Sequence, residues 1–144
     1  MESHVSDIAR VIQMAVAPVF LLTAIATLIT ALNNRLGRIV DRRRVLTERK
    51  QGGAEASPAE TRAELELIAR RVKLIYFAIL AAVLGALSVC LVVASAFIGA
   101  LVAVDLAKAV AVFFILAMFL LIVCLFVFLR EVFLAVTGGK HIFR

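Results

Sequence analysis

Three stretches without a single charged side chain constrain this chain more than anything else in it: residues 11–32, 74–104 and 109–129. A helix needs roughly 20 apolar residues to cross about 30 Å of hydrocarbon. The first and third stretches meet that length with little to spare. The middle one is too long for one crossing, so it is expected to include the turn on the far side. Across 144 residues the chain is 64% hydrophobic, whereas soluble domains run at about 45–50%. A water-soluble fold of this size cannot hide that excess. In lipid every backbone polar group must be satisfied internally, which helices achieve. The expectation is an all-α integral membrane protein, one membrane domain over 1–144, with transmembrane helices at about 11–32, 74–98 and 109–129.

Charge predicts the orientation. The segment between the first two stretches holds Arg35, Arg38, Arg42, Arg43, Arg44, Arg49, Lys50, Arg62, Arg70, Arg71 and Lys73, and Arg130, Lys140 and Arg144 follow the third. The opposite face has Arg10 and Lys108, a split of 14 to 2. Lys and Arg accumulate on the cytoplasmic side, so the N-terminus is expected outside and the C-terminus inside. The start, MESHVSDIAR, carries Glu2 and Asp7 where a signal peptide has positive charge, and the run behind it is too long for an h-region. The first stretch is therefore expected to stay as a span. A net charge of +6 can also indicate nucleic acid, but these cations sit at membrane ends, where each is worth about 1 kcal/mol against anionic headgroups. The expected partner is the anionic cytoplasmic face of the bilayer, not nucleic acid.

The first two helices are predicted to continue beyond the membrane as a cytoplasmic antiparallel helical hairpin over 33–73. Residues 33–50 contain no proline, and Leu32, Leu36, Ile39, Val40 and Leu46 keep an apolar stripe at helical spacing. The turn is expected at 51–57, where QGGAEAS collects turn formers. Ser57, Pro58 and Glu60 then read as a capping box with proline at the first helical position. Leu65, Ile68, Val72 and Ile75 continue a stripe, and nothing interrupts a helix of some 40 residues, roughly 60 Å. Such a hairpin can pack on itself or also against other subunits.

Inside the spans, Pro18 removes one backbone hydrogen bond and is expected to bend the first helix. Thr23, Thr27 and Thr30, extended by Asn34, share one face of that helix. A hydroxyl face in hydrocarbon has two readings. It can pack against a helix, a contact worth about 0.6 kcal/mol on average, or it can line a wet path for ions. The second span carries small residues at seven-residue intervals, Ala78, Gly85, Val92 and Gly99, with Ala81, Ser88 and Ser95 parallel to them. Small residues at this spacing allow close helix approach. Two such faces in a three-span chain favour a homo-oligomer. The third span is bulky, with Phe113, Phe114, Phe119, Phe126 and Phe128 suited to lipid. Asp105 can cap its outer end, Lys108 can snorkel, and Arg130 and Glu131 are expected to mark the inner boundary.

No residue within any span carries a charge, which argues against a proton- or sodium-coupled transporter and leaves a passive channel open. Cys90 and Cys124 lie at different depths, too far apart for a disulfide, and His4 and His141 lie on opposite sides. Nothing resembles a metal or haem site, a P-loop or a nucleophile elbow. Asp41 is expected to pair with Arg38 or Arg44 on the helix surface for a few tenths of a kcal/mol. No enzyme, catalytic residue, metal or cofactor is expected.

Residues 17–46, APVFLLTAIATLITALNNRLGRIVDRRRVL, resemble the signature of the bacterial membrane family known as domain of unknown function 2721. The pattern is a proline-containing first span followed by N-R-L-x-R-I-x-D-R-x-R. It falls here on Asn34, Arg35, Leu36, Arg38, Ile39, Asp41, Arg42 and Arg44. The resemblance implies a bacterial inner-membrane location and brings no activity. Two functions follow as expectations. One is a non-enzymatic, self-associating scaffold or accessory subunit. The other is a homo-oligomeric channel lined by Thr23, Thr27, Thr30 and Asn34, with Arg35, Arg38, Asp41 and Arg42 at its inner mouth or on lipid headgroups. A membrane-bound lipid enzyme using Asp41 is a remote third.

Overall fold

The structure, a computed structural model, describes residues 2–52 and 58–139. It consists of three α-helices in these residues: α1 Glu2–Gln51, α2 Pro58–Val102 and α3 Ala107–Gly139. All three are long and apolar enough to cross a membrane. Pro18 lies inside α1 without ending it, and α2 starts on Pro58, where a missing N–H has no intrahelical partner to lose. Most of the expected turn at 51–57, with the Ser57 cap, lies outside the described residues, as do Lys140, His141 and Arg144.

Burial on each helix follows a seven-residue interval, the spacing of knobs-into-holes packing. On α1 the buried series is Ile25, Leu32 and Ile39; on α2 it is Ile68, Ile75, Ala82 and Val89; on α3 it is Ala117, Cys124 and Glu131. The contacts fall into two units, Met1–Ile29 with Ala81–Val123, and Thr30–Leu80 with Cys124–Arg144.

In the first unit the small residues of α2 meet α3. A Cβ built on Gly85 would sit 3.6 Å from the Ala117 carbonyl oxygen and 3.6 Å from Leu121 Cγ. These are ordinary contact distances, so the site has room for a methyl group and not for a large side chain, and it faces Ala117, which is fully buried. Ala81, Ser88 and Val92 are buried on the same helix. α2 ends at Val102 and is followed by Ala103, whose φ of 52° is the left-handed conformation that closes helices. Gly99 lies under this turn, where a Cβ would come within 3.2 Å of the Val104 carbonyl oxygen. α3 opens with Asp105 Oδ1 accepting the Ala107 amide at 3.0 Å. Phe114 and Phe119 are exposed, as are Leu101 and Ile115. Surfaces of that kind suit hydrocarbon and not water.

The second unit contains the later part of α1, the earlier part of α2 and the end of α3. Leu32, Ile39, Ile68, Ile75 and Ala78 are buried in it, with Cys124 from α3. Arg42 reaches Glu64, and Arg35 and Arg71 reach the same residue, Glu131. Rising numbers on α1 thus meet falling numbers on α2, so the two arms run antiparallel. The hairpin does not pack on itself alone, because α3 supplies a third wall.

Candidate functional site

The second unit holds the one buried carboxylate among the described residues. Glu131 is 1% exposed. It continues the buried series of α3 one heptad beyond Cys124, so the helix itself turns it inward. Arg35 stands on α1 between the buried Leu32 and Ile39, and Arg71 on α2 between Ile68 and Ile75. Each of the three charged residues therefore occupies a packing position of its own helix.

The two arginines take separate oxygens of the carboxylate. Arg35 Nη1 donates to Glu131 Oε2, and Arg71 Nη2 donates to Oε1 at 2.8 Å. The Arg35 guanidinium also lies over the Phe128 ring, 5.2 Å from its centroid, within cation–π range. One carboxylate so ties three helices together. Taking a charge out of water is costly unless it is paired and hydrogen-bonded, and here both oxygens are engaged. The arginine side chains stay 36% and 27% exposed, which lowers their own desolvation cost.

A second pair joins α1 to α2. Arg42 Nε and Nη2 both donate to Glu64 Oε1, at 3.2 and 2.7 Å. It is more exposed than the Glu131 junction, and exposed pairs contribute about 0–1 kcal/mol. The expected pairing of Asp41 with Arg38 or Arg44 does not form: Asp41 has no ion pair among the described residues, and Arg44 bonds Glu48 at 3.2 Å instead. Glu48 lies four residues on, one helical turn, and its longer side chain reaches back to the guanidinium.

Beside these pairs is a cleft of about 970 Å³. Its cations are Arg38, Arg42, Arg70, Arg71, Lys73 and Arg130, against one lining carboxylate, Glu64. Its apolar lining comes from Ile39, Leu67, Leu74, Phe77 and Leu134. Arg42 and Arg71 are held by Glu64 and Glu131. Arg38, Arg70, Lys73 and Arg130 form no ion pair with a described carboxylate. Arg71 also keeps a buried Nε–H with no acceptor among the described residues.

A family model described as "Protein of unknown function (DUF2721)" matches residues 15–140. The chain belongs to the DUF2721 family. No curated protein and no solved structure matches it. Of the residues in the DUF2721-like stretch, the structure assigns Arg35 to the Glu131 junction and Arg38, Ile39 and Arg42 to the cleft. Asn34 is exposed.

The remaining candidate residues are placed as follows. Thr23 and Thr27 are exposed, and their hydroxyls donate to carbonyls of their own helix, Val19 at 3.1 Å and Thr23 at 3.0 Å. Thr30 is exposed. Ser88 and Ser95 donate to Leu84 and Leu91 in the same way, at 2.9 and 2.7 Å. A hydroxyl bonded to its own backbone asks for no polar neighbour in hydrocarbon. Glu131 and Arg71 are the functional candidates that sequence reading placed only as boundary charges. Their signal was present as the heptad from Ala117 through Cys124 and the position between Ile68 and Ile75.

Proposed function

We propose that this member of the family acts without catalysis, as a small self-associating scaffold or accessory subunit of the bacterial cytoplasmic membrane, with its basic hairpin on the cytoplasmic side. The observation that carries this reading is the Glu131 junction. The one buried carboxylate among the described residues is spent on joining α1, α2 and α3, so its chemistry is that of a fastener. Two further facts bear on self-association. The small-residue face of α2 is used against α3 at Gly85, which removes it as a docking face. The exposed face of α1 carries Thr23, Ala24, Thr27 and Ala31, small residues of the kind that line helix contacts in lipid. Both facts support α1 as the contact between copies.

Light scattering of the full chain in mild detergent, over a hundredfold range of concentration, tests this. An oligomer is expected for the wild type, and Thr27→Leu is expected to shift it toward monomer. A monomer at every concentration would refute the self-association.

The exposure of Thr23, Thr27, Thr30 and Asn34 favours a second reading, an oligomeric pore lined by α1. Arg35 is committed to Glu131, so Arg38 is left as the charge at its mouth. Conductance in planar bilayers that changes with Thr27→Leu and Arg38→Glu would establish the pore in place of the scaffold.

A further inference from the structure

We infer that the cleft between the arms is a binding site for an anionic phospholipid, with the phosphate on the basic wall and an acyl chain along the apolar one. The inference rests on the reading that the three apolar helices lie in a bilayer, and it does not depend on self-association.

Two properties of the cleft are needed together. Its cations outnumber its carboxylates six to one, and Arg38, Arg70, Lys73 and Arg130 are not consumed by described ion pairs. A ligand must therefore bring negative charge, and arginine's planar fork of donors suits phosphate oxygens. The same cleft is walled by Leu67, Leu74, Phe77 and Leu134. A free anion or a nucleic-acid backbone gains nothing from that surface, whereas the apolar part of an amphiphile does. The position along the chain agrees. Arg70 and Lys73 come immediately before the uncharged run that starts at Leu74, and Arg130 immediately after the one that ends at Leu129. That is where a helix passes from hydrocarbon to headgroups. A volume of about 970 Å³ lies at the upper end of ordinary ligand cavities, which run to about 1,000 Å³. It accommodates a headgroup together with the beginning of a chain.

Glu131, which is not part of the lining, holds Arg71, and the lining Glu64 holds Arg42, so part of the wall is ordered before a ligand enters and less ordering remains for binding.

The test uses the full chain in non-ionic detergent, with phosphatidylglycerol and phosphatidylcholine of matched acyl chains offered together, and native mass spectrometry reads the lipid retained per protomer. The wild type is expected to retain phosphatidylglycerol in preference. Arg70→Gln with Lys73→Gln is expected to lower that preference by about tenfold or more, as two lost headgroup contacts require. Arg130→Gln is the second variant, needed if the double one does not fold; helical circular dichroism checks folding in both. Inorganic phosphate and glycerol phosphate are added as competitors and are expected to displace little lipid. Displacement by either at concentrations equal to the lipid's would make this an anion site with no lipid specificity and overturn the inference. Equal retention of the two lipids by the wild type, or unchanged preference in a folded variant, would overturn it too. The subunit number comes from the same spectra. Oligomers without lipid preference refute the lipid site alone, and monomers that keep the preference refute self-association alone.

Discussion

Glu131 shows how much a single residue's surroundings decide its role. By composition it is one of ten acidic residues, and by position it follows Arg130 at the end of an apolar run. Its 1% exposure and two arginine partners make it the electrostatic centre of the second unit. Removing one side of a buried ion pair is far more damaging than replacing the whole set with apolar residues. Arg35→Leu with Arg71→Leu strands the carboxylate and is expected to cost about 3–5 kcal/mol of stability. Adding Glu131→Leu is expected to recover most of that loss. Unfolding of the three forms by graded addition of a denaturing detergent, followed by helical circular dichroism, checks the cycle. Failure of the triple variant to regain stability would mean the junction is more than a paired charge. Glu64→Gln is expected to cost less than about 1 kcal/mol in the same assay, because its pair with Arg42 is exposed to solvent.

At the scale of the helix, the seven-residue interval organises everything. The series Ala78, Gly85, Val92 and Gly99 was legible because small residues stand out among Leu, Ile and Val. Its partner was not legible, since a small face says how close a neighbour comes and not which neighbour it is. The structure supplies Ala117 and Leu121 of α3. Gly85→Ala adds a methyl group at ordinary contact distances of 3.6 Å and is expected to be tolerated or mildly stabilising, since alanine is the better helix former. Gly85→Leu overpacks the same contact and is expected to cost about 1–3 kcal/mol. Thermal melting in detergent distinguishes the two. Equal melting points for both variants would show that α2 and α3 do not approach closely at this point. The threonine line on α1 teaches a different lesson. Its periodicity could be read, but the hydrogen bonds from Thr23 and Thr27 to their own helix could not, because back-bonding leaves no trace in spacing.

For the whole molecule, the fourteen-to-two asymmetry of cations predicts a measurable topology. A cysteine at Gly52, where an added Cβ meets only ordinary contacts of 3.5 and 3.7 Å, is placed in a Cys90→Ala, Cys124→Ala background. It is expected to react with a membrane-impermeant maleimide in inverted vesicles and not in intact cells. Labelling of intact cells would reverse the orientation and move the basic cleft to the other face of the membrane. Helix content, three membrane-length elements and the seven-residue stripes were contained in the order of the amino acids. They depend on local hydropathy and on the 3.6-residue period, which neighbouring residues set among themselves. The meeting of Glu131 with Arg35 and Arg71, which lie 96 and 60 positions before it, was decided only by tertiary packing. A helix dictates which of its faces is buried, but which charges meet inside depends on how three such faces are brought into register, and no short stretch of chain carries that information.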